Sequence, residues 1–73
     1  MSQYGDEYQQ FLRKLRLART EAGFTQKEVA KLLNKPQSYI SKCESGERRV
    51  DIIELKAFAQ LYKKQIKDFL ADD

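Results

Sequence analysis

Gln37, Ser38, Ser41 and Lys42 place an amide, two hydroxyls and an ammonium group within six residues of one another. At helical spacing these four share an outward face, while Ile40 and Cys43 turn inward. The polar groups can hydrogen-bond base edges or phosphates. A helix fits the major groove of duplex DNA, where the donor and acceptor pattern distinguishes every base pair. Gln37 can bond adenine bidentately and Lys42 can donate to guanine O6 or N7, each good pair being worth ~1–3 kcal/mol of discrimination. Taken singly, each of these residues is equally an ordinary solvated side chain. Their combination with the elements around them points to nucleic acid rather than to a generic helical hairpin.

Two short helices joined by a tight turn must present that face. Thr25 and Glu28 form a T-x-x-E capping box, in which each side chain satisfies a backbone N–H that the first turn leaves without a partner. Val29, Ala30 and Leu33 follow on one face, and Asn34 stands where the chain needs a residue tolerant of left-handed geometry. Pro36 is expected to open the second helix as its first residue, which leaves Lys35 as a poor N-cap. Gly46 sits where a glycine closes a helix. Residues 25–46 therefore read as a helix-turn-helix.

Seventy-three residues support one small domain, whose core supplies only a few kcal/mol of net stability. The apolar fraction of 41% argues against disorder, and one Pro with three Gly leaves little material for the turns of a β fold. The fold class expected is all-α. No apolar run approaches the ~18 residues needed to span a bilayer, and MSQYGDEY lacks the regions of a signal peptide, so the expectation is a cytoplasmic protein without membrane contact. One cysteine and no histidine offer neither an internal disulfide nor a zinc cluster, and no metal or cofactor is expected. Cys43 reads as a small buried hydrophobe rather than a nucleophile.

The net charge of +3 is modest, but its distribution is informative. Residues 13–50 hold ten Lys or Arg against four Glu, a balance of +6, whereas the first twelve residues contribute −2 and residues 51–73 contribute −1. The basic segment coincides with the helix-turn-helix, as expected for a surface that neutralises phosphates. Gln26, in the first turn of its helix, is placed to clamp a backbone phosphate, and Arg48 and Arg49 directly follow the reading helix.

A first helix over about 6–22 carries Tyr8, Phe11, Leu12, Leu15, Ala18 and Ala22 at helical spacing, with Leu17 off the stripe. Helices over about 25–33 and 36–45 follow. Asp51 and Glu54 repeat the capping box ahead of a fourth helix over about 51–62, with Ile52 or Ile53, Leu55, Phe58, Ala59 and Leu61 on its apolar face. That pattern fades at Tyr62. A fifth helix is expected over about 65–70, where Ile66, Phe69 and Leu70 cluster ahead of the acidic Asp72 and Asp73. The cluster can close the monomer core, bury against a second copy, or do both.

Arg19, Thr25-Gln26, Gln37-Ser38, Ile40-Ser41, Glu44 and Ser45-Gly46 together resemble the family of Cro and the lambdoid phage repressors, also called the XRE family, over about residues 11–70. The resemblance implies a five-helix domain whose third helix lies in the major groove. It also implies homodimers on pseudo-palindromic operators that regulate transcription. By position it assigns base reading to Gln37, Ser38 and Lys42, with Ser41 and Tyr39 close enough to contribute to bases or backbone. It assigns phosphate contact to Gln26, Ser45 and Arg49, and a partly buried ion pair to Arg19 and Glu44. The sequence departs from the family where Asn34 and Pro36 replace a frequent Gly and a capping Ser or Thr, and where Tyr62-Lys63-Lys64-Gln65 lacks the Gly that often follows the fourth helix.

Two functions of different classes follow. One is a sequence-specific DNA-binding regulator, a homodimeric repressor or controller dimerising through Ile66, Phe69 and Leu70. The other is an antitoxin-type interaction module that binds a toxin as well as DNA. An enzyme is not expected, since the chain has no His, no evident pair of carboxylates in a pocket and no Gly-rich phosphate loop.

Overall fold

The computed structural model describes residues 5–70, so Asp72 and Asp73 of the acidic tail lie outside it. Four α-helices run in order, α1 (Asp6–Glu21), α2 (Gln26–Leu32), α3 (Gln37–Ser45) and α4 (Ile52–Tyr62), followed by a 3₁₀ turn at Ile66–Phe69. Among the described residues there is no strand, and no helix is long and apolar enough to cross a membrane.

The local chemistry of the caps sets these boundaries. Thr25 Oγ1 accepts from the Glu28 N–H at 3.1 Å, while Glu28 Oε1 accepts from the Thr25 N–H at 2.8 Å. Asp51 and Glu54 make the same reciprocal pair at 2.8 and 2.9 Å. The helix α2 then ends as Asn34 adopts φ 57°, which lets the Lys35 N–H reach back to the Ala30 carbonyl at 2.8 Å. Lys63, with φ 58°, ends α4 in the same way, and the Lys64 N–H donates to the Ala59 carbonyl at 2.9 Å. A lysine thus takes the left-handed position that glycine fills more cheaply.

The helices pack α2 on α3 and α1 on α3, with the 3₁₀ turn seated against α1 and α4. Leu15 and Ala18 of α1, Val29 and Ala30 of α2, Ile40 and Cys43 of α3, and Phe58 and Ala59 of α4 meet in one core. Each large apolar side chain fully removed from water contributes roughly 1.5–3 kcal/mol against the entropy of ordering the chain. Gly46 closes α3 at φ 87°, and its backbone comes so near α1 that an added Cβ would sit 2.8 Å from Leu12 Cδ1. A glycine is required there on both counts.

Four expectations change. Pro36 is the N-cap of α3 rather than its first helical residue; its extended backbone (ψ 153°) supplies no capping side chain, and the helix starts at Gln37. The last element is a single 3₁₀ turn, held at its start by the Gln65 N–H donating to Asp68 Oδ2 at 2.8 Å, because four residues are too few for a stable α-helix. Ile52 and Ile53 both lie outside the core, at 60% and 69% exposure, while Leu55, one turn further along α4, is buried. Tyr62, where the pattern fades, is instead buried and stacks on Phe58 at 6.0 Å, with its hydroxyl making no hydrogen bond among the described residues. Leu17 is exposed as expected.

Candidate nucleic-acid interface

The helix α3 buries Ile40, Cys43 and Glu44 and leaves Gln37, Ser38, Ser41 and Lys42 exposed on its other face. The inward residues follow the i, i+3, i+4 rule, so the outward four are brought together by the same periodicity. None of the four makes a side-chain hydrogen bond among the described residues, which leaves their donors and acceptors available to a ligand. Cys43 is fully buried, and burial pushes its thiol above the ordinary value, toward the unreactive protonated form.

Beneath that face Glu44 joins three elements. Its carboxylate is 2% exposed and takes Arg19 Nε on Oε2 at 2.7 Å and Arg19 Nη2 on Oε1 at 3.2 Å. The hydrogen bond to Glu44 raises the Arg19 guanidinium further above its already high value. Arg19 Nη1 also donates to the Phe24 carbonyl at 2.9 Å, tying α1 to the turn before α2. Gln26, the first residue of α2, donates its amide to Glu44 Oε1 at 2.9 Å. The amide has a second N–H beyond this bond, and Glu44 sets its orientation relative to α3. Arg16 Nη1 reaches the Glu44 backbone carbonyl at 2.9 Å.

A second cluster sits at the other border of α3. Arg48 meets Glu54 through both oxygens, Nη1 to Oε1 at 2.8 Å and Nη2 to Oε2 at 2.6 Å. Tyr39 donates its hydroxyl to Glu54 Oε2 at 3.0 Å, and its ring lies under Arg48 Cζ at 4.9 Å and Lys35 Nζ at 5.1 Å. The Arg48 guanidinium holds the Glu54 carboxyl below the ordinary carboxylate range, with Asp51 N–H and Tyr39 adding to the effect. Burial is the main cause that pushes the Tyr39 phenol up, reinforced by its bond to Glu54. Ser45 Oγ makes long local bonds, donating to the Lys42 carbonyl and accepting from the Glu47 N–H, both at 3.3 Å. Arg49 lies over the ring of Tyr8 at 5.0 Å, and the Tyr8 hydroxyl accepts from the Val50 N–H at 3.0 Å, so α1 steadies this loop.

The residues expected to dimerise separate. Phe69 is 1% exposed and closes the core, Ile66 packs half-buried against it, and Leu70 stays 50% exposed. Leu70 and Ile52 line one groove of about 320 Å³ with Tyr8 and Phe11. Sequence reasoning missed the roles of Glu54, Arg16 and Lys35. Glu54 was visible only as a cap, because its partners stand 6 and 15 positions away, at no helical repeat.

The family model described as helix-turn-helix matches residues 15–69. A solved structure of an XRE-family like protein from Pseudomonas syringae pv. tomato is 44% identical, the match covering 85% of this chain and 76% of that one with a TM-score of 0.78. No curated protein matches the sequence. With its helix-turn-helix, its buried Arg19–Glu44 pair and these likenesses, the chain belongs to the XRE family of helix-turn-helix DNA-binding regulators.

Proposed function

We propose that this protein is a sequence-specific transcription regulator that binds a pseudo-palindromic operator as a homodimer, with α3 in the major groove. The observation that carries the reading is the exposed, unengaged row of Gln37, Ser38, Ser41 and Lys42 on a helix whose opposite face is locked into the core. Gln37, Ser38, Ser41 and Lys42 read bases. Gln26, Tyr39, Ser45, Arg48 and Arg49 hold the backbone around them, because phosphate contacts fix register while base contacts specify sequence.

A single helix-turn-helix reads only a few base pairs, so useful affinity calls for two copies on half-sites roughly 34 Å apart. Leu70, exposed beside Ile52 along one groove that Tyr8 and Phe11 also line, supplies the surface for a second copy. The first test is binding to a duplex selected from random-sequence DNA, followed over a range of salt. A steep fall of log K with log salt is expected, since several phosphates are neutralised per dimer. An affinity that ignores salt sinks the reading.

A further inference from the structure

Glu54 carries a negative charge into a surface that, on the DNA-binding reading, must approach a polyanion. Charge alone would exclude a carboxylate there. The geometry shows what it does instead. Oε1 accepts from the Asp51 N–H at 2.9 Å and from Arg48 Nη1 at 2.8 Å, and Oε2 accepts from Arg48 Nη2 and from the Tyr39 hydroxyl at 3.0 Å. Those four donors use the acceptor capacity of a carboxylate. Arg48 Nη1 also donates to the Arg49 carbonyl at 3.2 Å, and the guanidinium lies over the Tyr39 ring. The fork is therefore fixed in its plane and against a ring, yet the Arg48 side chain remains 42% exposed.

We propose that Glu54 is a positioning residue, one that holds the exposed side of Arg48 toward a single DNA phosphate and holds Tyr39 at the start of α3. This rests on the DNA-binding reading. A guanidinium already fixed by a carboxylate loses little side-chain freedom when a phosphate arrives, and its planar, delocalised charge can be gripped by Glu54 while still meeting an anion, in a way that an ammonium cannot. Tyr39, bonded to the same carboxylate, couples that phosphate contact to the register of the reading helix.

The proposal and plain electrostatics predict opposite signs. Glu54→Gln keeps the shape and the capping acceptor but removes one negative charge, so electrostatics alone would tighten DNA binding. Positioning requires it to weaken, by about tenfold on both a selected and an unrelated duplex, with the salt slope reduced by about one as an ordered phosphate contact is lost. Binding of Glu54→Gln as tight as, or tighter than, that of the unaltered protein would overturn the inference. Arg48→Lys provides a second measurement should Glu54→Gln fold poorly, because it keeps the charge and loses the fork. It should lose nearly as much affinity as Arg48→Ala, and an Arg48→Lys protein that binds like the unaltered one would overturn the inference equally. Gln37→Ala and the unaltered protein are measured on the same duplexes. If the unaltered protein shows no salt-dependent binding, the DNA-binding reading itself fails together with this inference.

Discussion

Arg19 and Glu44, 25 residues apart in the chain, meet through two hydrogen bonds of 2.7 and 3.2 Å with the carboxylate almost wholly out of water. The same carboxylate holds Gln26, so one buried charge fixes α1, the start of α2 and the end of α3 in a single arrangement. The outward face of α3 is thereby held in one position relative to α1 and α2.

Arg19→Ala should therefore cost about 3–5 kcal/mol in urea-induced unfolding, since it leaves a buried carboxylate without its cation. Replacing both partners by apolar residues should cost much less. A loss below about 1 kcal/mol for Arg19→Ala would mean that water screens the pair as it does a surface salt bridge.

Lys63 at φ 58° gives a second test. A left-handed non-glycine residue costs roughly 1–2 kcal/mol, while glycine loses about 0.5–1 kcal/mol more in chain entropy, so Lys63→Gly should stabilise by about 0.5–1 kcal/mol. Gly46→Ala should do the reverse, by at least about 2 kcal/mol, through backbone strain and the clash with Leu12. Equal stability of the two variants would contradict this account.

How far the sequence disclosed this molecule depends on the range of each interaction. Capping pairs are three residues apart, so Thr25–Glu28 and Asp51–Glu54 could be read directly, and the left-handed residue at Asn34 followed from the turn. The outward face of α3 was legible for the same reason. The burial of Tyr62 was not, because what covers it, Phe24 from the turn before α2, lies far away in sequence. Ile52 and Ile53 were misjudged since periodicity names a face but not how far along it a neighbour covers the helix. The Arg48–Glu54–Tyr39 cluster depends on the path of a loop, and no spacing rule encodes it.

Glu54 also sets a pH dependence. Its carboxyl sits below the ordinary range chiefly because of Arg48, so the stability it contributes is complete above the unfolded value of about 4.3 and is lost as pH falls through the lower, folded value. The stability gap between the unaltered protein and Glu54→Gln should be open at about pH 7 and narrow progressively as pH falls below the unfolded value. A gap independent of pH would show that the ion pair adds nothing.

Self-association can be separated from folding through Leu70. Leu70→Lys should leave the melting curve nearly unchanged, because half of the side chain already faces water, yet it should shift sedimentation toward the monomer and weaken operator binding with it. Phe69→Lys would not serve, since a charge at a 1% exposed core position unfolds the domain. A Leu70→Lys protein that dimerises normally would move the interface elsewhere.

The most direct test of the central claim is the affinity of Gln37→Ala for the selected operator and for an unrelated duplex at the same salt. The account predicts a loss of ~1–3 kcal/mol on the operator alone, with relaxed preference at one position in each half-site, because Gln37 contributes discrimination and not general affinity. Equal losses on both duplexes, or an operator preference left intact, would contradict the claim that the outward face of α3 reads the bases.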